Sequence, residues 1–364
     1  MNCGNRSDRS VAHRKQLAAY LAAGLVTLTL GCEPEINGPT GREQSSIPND
    51  LASPHSQAVT LDPESASLLS AGNVWTTRRS GPPPGRIEPV AGTINGVIYV
   101  VGGDANGTYP ERLLKNVDAY NVASNTWSHR QELPGARNRM NGASVINGNL
   151  YVTGGARQVP RGGFIPSRTT FAYNPRTNQW SRKADMPVAG SDGVQGVIRG
   201  QLYVYVPNFD NAGALLRYTP ATNLWETLAP PPVGHADGAG GVINGRFYLA
   251  GGCCEFQPDL NATRTLNAYN PNTNTWTTKA SMNVNRRDGT SGVINGKLYV
   301  AGGTDEAWNE LSSVDAYDPA TNQWTLRASM PKPRAHTAGA VANGKLFVIG
   351  GLGEDAMRNE AYTP

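Results

Sequence analysis

Two rows of polar residues recur at matched positions along the chain. Nine residues before the asparagine of each recurring Asn-Gly pair (Arg199 replaces that asparagine once) stand Arg86, Asn138, Gly190, His235, Arg286 and Arg334. Two residues later come Glu88, Met140, Asp192, Asp237, Asp288 and His336, and Arg137 and Arg139 flank Asn138. A spacing of two puts side chains on one side of an extended chain, so the two rows are expected to converge. Guanidiniums among carboxylates make strong, directional hydrogen bonds. Such a set suits a sugar, an acidic sugar or the charged tip of a peptide. The competing expectation is that these charges pair with one another and hold the structure together. Trp308, among Asp305, Glu306 and Glu310, is a further candidate contact.

The elements that position these residues are repeats. Tyr120 and Trp127, Tyr173 and Trp180, Tyr218 and Trp225, Tyr269 and Trp276, and Tyr317 and Trp324 are each seven residues apart. The fullest copy, Thr290 to Trp324, holds an apolar run, the turn Asn295-Gly296, a second run closed by Gly302-Gly303, a variable insert, then Tyr317 and Trp324. Apolar alternation bounded by turn residues indicates short strands, and Asn-Gly suits a type I′ hairpin turn. Four strands repeated about every fifty residues indicate a radial array of sheets. With 42 glycines, 26 prolines and only 16% charged residues, the composition favours short strands and tight turns over packed helices.

First-and-second-strand pairs occur six times, at Ile94, Ile146, Ile198, Ile243, Ile294 and Ala342. The last copy stops at Tyr362-Thr363-Pro364, and Val74-Trp75-Thr76 reads as a fourth strand with no blade before it. The expectation is an all-β ring of six four-stranded antiparallel blades, closed when the N-terminal strand joins the last blade and removes the free edges. The innermost strands then begin at the two polar rows, around the mouth of a central channel. Turns after first and third strands are uniform. From doublet to tyrosine the chain runs 17 or 18 residues in blades one, two and four, 14 in blade five and 11 in blade six. Loops that vary on a rigid scaffold are where function concentrates, so the face carrying them is the candidate binding face.

The doublets Gly102-Gly103, Gly154-Gly155, Gly251-Gly252, Gly302-Gly303 and Gly350-Gly351, each followed by spaced Tyr and Trp, resemble the kelch-repeat family. In blade three Val206-Pro207 takes the doublet's place, so a distorted second strand is expected there. The resemblance covers Asn73–Pro364 and implies a six-bladed kelch β-propeller whose repeated aromatics pack blade against blade. One family branch holds copper with paired Tyr and His, whereas His129, His235 and His336 lie on different blades. Another holds iron with a Glu, Asp, His loop, whereas Glu255, Asp259 and Thr263 keep the spacing without the His. No metal and no cofactor is expected. A periplasmic sialic-acid mutarotase branch is similar in blade count. It implies a general acid/base and an arginine for a carboxylate, a set that Glu88, Asp192, Asp237 and Asp288 with Arg86, Arg286 and Arg334 could supply.

Residues 1–31 combine four basic side chains with the apolar run Gln16–Gly31, shorter than the roughly 20 residues of a membrane span. This is the pattern of a signal peptide. Leu28-Thr29-Leu30-Gly31-Cys32 resembles a bacterial lipobox, with Thr29 where an aliphatic residue is usual, and implies lipid attachment at Cys32. Residues 32–72 carry no aromatic side chain and too little apolar surface to fold. They read as a disordered tether spanning about 35 Å. Without Arg6, Arg9, Arg14, Lys15 and Asp8, the basic count falls from 32 to 28 and the acidic count from 28 to 27. That balance gives no reason to expect nucleic acid. Adjacent Cys253-Cys254 can form a vicinal disulfide in an oxidising compartment or serve as two free thiols.

The expectation is a monomeric, lipid-anchored module of the bacterial cell envelope, held to the membrane by its anchor alone. Its variable face would bind a protein or glycan through Arg86, Glu88, Arg139, Asp192, His235, Asp237, Arg286, Asp288, Arg334, His336 and Trp308. No Ser-His-Asp order, phosphate loop or dinucleotide fingerprint is visible. The alternative is a mutarotase- or epimerase-type enzyme working at the channel mouth.

Overall fold

Blade five shows how the sequence makes a sheet. Asn295 and Gly296 have φ of 49° and 73°, the double left-handed geometry of a type I′ turn. The turn joins Thr290–Ile294 to Lys297–Ala301, which then pairs with Val314–Asp318 and that in turn with Gln323–Arg327. Leu298, Tyr299, Val300 and Ala301 are all buried, because a blade's second strand is covered on both faces by neighbouring blades. Gln323–Arg327 lies at the rim and alternates exposed with half-buried residues.

The computed structural model describes residues 72–105, 112–159, 163–208, 211–253, 262–352 and 356–364, all in the unit Ala71–Pro364. The leader, most of the tether, Cys32 and Cys254 lie outside the described residues. Six antiparallel sheets form the ring. The innermost strands Val90–Ile94, Asn138–Ile146, Val194–Ile198, Ala239–Ile243, Thr290–Ile294 and Ala338–Ala342 each contact the next, and the last contacts the first. The core is divided likewise into six apolar layers, each between two consecutive blades.

The N-terminal strand Val74–Arg78 closes the ring. It pairs with Asn359–Thr363, with Trp75 opposite Tyr362, and completes the sixth blade. Its side chains repeat a clasp found at every blade junction. In blade five Tyr317 donates its hydroxyl to Asn322 Oδ1 (2.8 Å), which also accepts the backbone N–H of Ala280 (3.1 Å) from blade four. Trp324 Nε1 donates to the carbonyl of the same Ala280 (2.7 Å). The sixth copy uses Tyr362 and Asn73 (2.7 Å), Ala328 N to Asn73 (2.7 Å), and Trp75 Nε1 to Ala328 O (2.8 Å). Each Tyr also packs against its Trp, with ring centroids 4.9 Å apart for Tyr120–Trp127 and 5.2 Å for Trp75–Tyr362. The repeated aromatics are therefore junction pieces.

The doublets serve the same junctions. Gly302 and Gly303 have φ of 64° and 95°, and a Cβ on either would lie 2.4 Å from Arg334 O or 2.3 Å from Arg287 O. Close approach lets Gly303 N–H donate to Arg334 O of blade six (2.8 Å). Blade three lacks the doublet. Its second and third strands lengthen to Gln201–Asn208 and Asn211–Thr219, with a register shift between Val206 and Asn208. There the Tyr205 hydroxyl accepts the His235 N–H instead (2.8 Å). Blade two gains a short strand, Phe164–Pro166, paired with the end of Asn149–Gln158.

Candidate functional site

Six residues just at or before the innermost strands form a closed backbone circle. Glu88 N–H donates to His336 O (2.8 Å), His336 to Asp288 (3.0 Å), Asp288 to Asp237 (2.7 Å), Asp237 to Asp192 (3.0 Å), Asp192 to Arg139 (2.8 Å), and Arg139 to Glu88 (3.3 Å). One residue comes from each blade. All six adopt the left-handed conformation, with φ of 55° at Glu88, 51° at Arg139, 60° at Asp192, 58° at Asp237, 57° at Asp288 and 56° at His336. None is glycine, although that conformation favours glycine by about 1 kcal/mol or more. The circle lies at the end of the ring that also carries the variable loops.

The two polar rows do not share a side, contrary to the expectation from their spacing. The left-handed residue breaks the extended alternation, and the first row turns into the blades. Arg286 is fully buried, with its Nη1 donating to Gly302 O (2.7 Å) and its Nη2 paired with Asp315. Arg334 pairs with Glu360 (2.6 Å) and reaches Gly350 O (3.3 Å). Arg86 pairs with Asp118 and donates to Val100 O (3.1 Å). His235, fully buried, lies between Gly251 O (2.7 Å) and Asn267 Oδ1 (2.8 Å). These four side chains tie the end of each blade's second strand, or its doublet, to the third strand.

Blade two is shifted by one position. A register shift between Met140 and Ala143 makes Arg137 the latch and Arg139 the ring member. Arg137 donates to Gly154 O (3.1 Å) and stacks over Phe171 at 5.2 Å. Met140 is buried in the layer between blades one and two. A signal for the latches was present in the sequence. Two residues before each blade tyrosine stand Asp118, Phe171, Leu216, Asn267, Asp315 and Glu360, opposite Arg86, Arg137, Gly190, His235, Arg286 and Arg334 in turn. Arg137 meets a ring face, the other latches meet polar side chains, and Gly190 stands where the third strand carries Leu216.

The ring itself carries Glu88, Asp192, Asp237 and Asp288 against Arg139 and His336. Arg139 Nε lies 2.9 Å from Glu88 Oε2, and its Nη1 lies 3.9 Å from Asp192. His336 Nδ1 lies 3.3 Å from Glu88 and 3.4 Å from Asp288. Burial opposes charging His336, but Asp288 and Glu88 outweigh it and raise its pKa to about 9. Thr304 Oγ1 donates to Asp288 Oδ2 (3.0 Å), and Arg287 Nε lies 3.9 Å away. Ser191 donates to Asp192 (2.7 Å). Burial first, and the facing carboxylates Asp192 and Asp288 second, hold the Asp237 carboxyl well above the usual carboxylate range. Asp192 is also raised, by burial against the opposing pull of Arg139. Trp308, with φ of 65°, is half-buried and covers the Arg287 guanidinium at 3.2 Å from the ring centroid. It therefore borders the ring through Arg287. Cys253 is disulfide-bonded, and Asp237 Oδ2 lies 3.9 Å from its sulfur. Among the described residues no group of three or more His, Cys, Asp or Glu is arranged to hold a metal ion.

Known proteins match this architecture. The chain shares 26% identity with Kelch-like protein terF of Aspergillus terreus over 54% of its own length and 37% of that protein's. It shares 36% identity with Kelch-like ECH-associated protein 1B of Danio rerio over 29% of this chain and 17% of that one. The chain thus spans well under half the length of these relatives. The solved structure of YjhT superposes with a TM-score of 0.66 at 19% identity, covering 79% of this chain and 95% of that one, and so shares the fold. The Kelch motif model matches residues 85–134, 137–187, 236–283 and 285–331. These are blades one, two, four and five, leaving out the blade that lacks the doublet and the blade split between the chain's ends. With more than half of its length matched in this way, the chain belongs to the kelch-repeat family.

Proposed function

We propose that this protein is a binding module whose ligand, carried on a protein or a glycan, docks at the charged ring on the variable-loop face. The observation that carries this reading is the contrast between backbone and side chains at the ring. Six blades place one residue each in the same strained conformation, yet the residues are Glu, Arg, Asp, Asp, Asp and His. Asp and His tolerate that conformation better than most side chains, whereas Glu88 and Arg139 are held in it without that advantage. The latch row, in contrast, pairs within its own blades. Kelch membership supports an interaction role. The lipobox-like Cys32 and the tether support delivery to the bacterial envelope, where the module would stand off the membrane on its lipid anchor. A second reading, a mutarotase-type enzyme, is favoured by one observation: adjacent Asp192 and Asp237 both hold their protons more tightly than free carboxyls, as a general acid must.

The test is a thermal-shift and binding screen of the full chain against sugars, amino sugars, acidic sugars and short peptides. The reading expects a ligand whose binding is lost in Asp288→Ala and Arg139→Ala. A ligand insensitive to every ring substitution removes the mouth from consideration. Turnover of a reducing sugar, lost in Asp237→Asn, would favour the enzyme reading.

A further inference from the structure

We propose that the mouth takes a primary ammonium group, seated on the arc Asp192–Asp237–Asp288 with Asp237 as its main acceptor; this rests on the mouth being the binding site. The arc holds three consecutive carboxylates, one from each of blades three, four and five, while the cations Arg139 and His336 stand on the other side of the circle. Internal comparison singles out Asp237. Blades four and five build the same arrangement, in which the residue after the Gly-Gly doublet bridges to the residue before the ring carboxylate: Cys253 to Ala236, and Thr304 to Arg287. In blade five Thr304 donates its hydroxyl to Asp288. In blade four the corresponding side chain is Cys253, which is disulfide-bonded and has no S–H to donate. Asp192 has Ser191 and Arg139, and Glu88 has Arg139 and Asn138. Asp237 receives no hydrogen bond from a nitrogen or hydroxyl donor and forms no ion pair among the described residues.

Blade two also holds a buried unmatched acceptor, beside Glu88. Asn138, 1% exposed, donates Nδ2 to Glu88 Oε2 (2.8 Å) and leaves its Oδ1 without a hydrogen-bond partner among the described residues. The vacancy at Asp237 asks for a donor, and a carboxylate held near two others asks for a positive one. An ammonium supplies three N–H donors and one charge. Asp237 faces Asp192, Asp288, Arg139 and His336. Burial and the two aspartates favour its protonated form, so an arriving ammonium displaces a proton and binds more tightly as pH rises from 5 to 8.

The experiment is a ligand-observed NMR titration of the full chain with two amines, Nα-acetyl-lysine amide and D-glucosamine. Their neutral analogues, acetylated at the same nitrogen, serve as controls. At least one amine should bind tenfold or more tightly than its analogue; the lysine probe winning points to a protein ligand, glucosamine to an amino sugar. Asp237→Asn should cut that binding tenfold or more while raising the midpoint of thermal unfolding at pH 8 and not at pH 4. Asp237→Ser repeats the test if the first variant folds poorly. Equal binding of amine and analogue overturns the ammonium assignment, as does an unchanged affinity in both variants. Binding of a neutral or acidic sugar, abolished by Arg139→Gln, would overturn the ammonium alone and leave the mouth as the site.

Discussion

At the scale of single residues, the structure separates two kinds of charge that stand only two positions apart. Arg286 and Asp315 are both fully buried. Removing one member of such a pair strands the other and costs about 3–5 kcal/mol, whereas replacing both with apolar side chains is far milder. Arg286→Met should therefore destabilise the protein by that amount in denaturant unfolding, and Arg286→Met with Asp315→Leu should recover most of it. A stable Arg286→Met protein that has lost its ligand would show the latch to be a binding residue after all. His336 provides the opposite, pH-dependent signature. Its folded pKa of about 9 exceeds the unfolded value of 6.5, so its contribution is complete below 6.5 and vanishes as pH climbs through 9. The stability difference between wild type and His336→Gln should be largest near pH 6 and absent above about pH 10. A pH-independent difference would mean that the imidazole is not held charged by Asp288 and Glu88.

At the scale of the element, the clasp makes one strand equivalent to a whole blade's rim. Asn322 and Asn73 make the same pair of hydrogen bonds at their junctions. Each net hydrogen bond is worth about 1 kcal/mol, so Asn73→Ala and Asn322→Ala should each cost about 2 kcal/mol and lower the midpoint of thermal unfolding alike. A neutral Asn73→Ala would mean that the N-terminal strand closes the ring more loosely than the other junctions. This level of organisation was legible in sequence because Tyr, Asn, Trp and the doublets repeat with fixed spacing, and Val74-Trp75 fits the gap left after Tyr362. The direction of the side chains at the mouth was not. Period-two reasoning assumes extended backbone, and the left-handed φ at Glu88, Asp192, Asp237, Asp288 and His336 cancels it. The one-residue shift that exchanges Asn138 and Met140 for Arg137 and Arg139 has the same origin, since it arises from a local irregularity in the blade-two strand.

At the scale of the whole molecule, repetition builds the scaffold, and its exceptions gather at the end proposed to bind. Six interblade layers and six clasps close the ring cooperatively, so deleting Asn73–Arg79 should abolish cooperative thermal unfolding rather than trim one edge. The opposite end of the ring, with its uniform turns, carries half-exposed pairs such as Lys297–Asp318 (3.0 Å). Pairs of that kind contribute little to stability, and they make a fair control surface. The most direct measurement is therefore a comparison of ligand binding between ring and turn-face variants of the full chain. Asp237→Asn and Arg139→Ala should reduce binding of the screened ligand at least tenfold, while Lys297→Ala with Asp318→Ala leaves it unchanged. Full binding in the ring variants and its loss in the turn-face variant would contradict the account and move the site to the other end of the propeller.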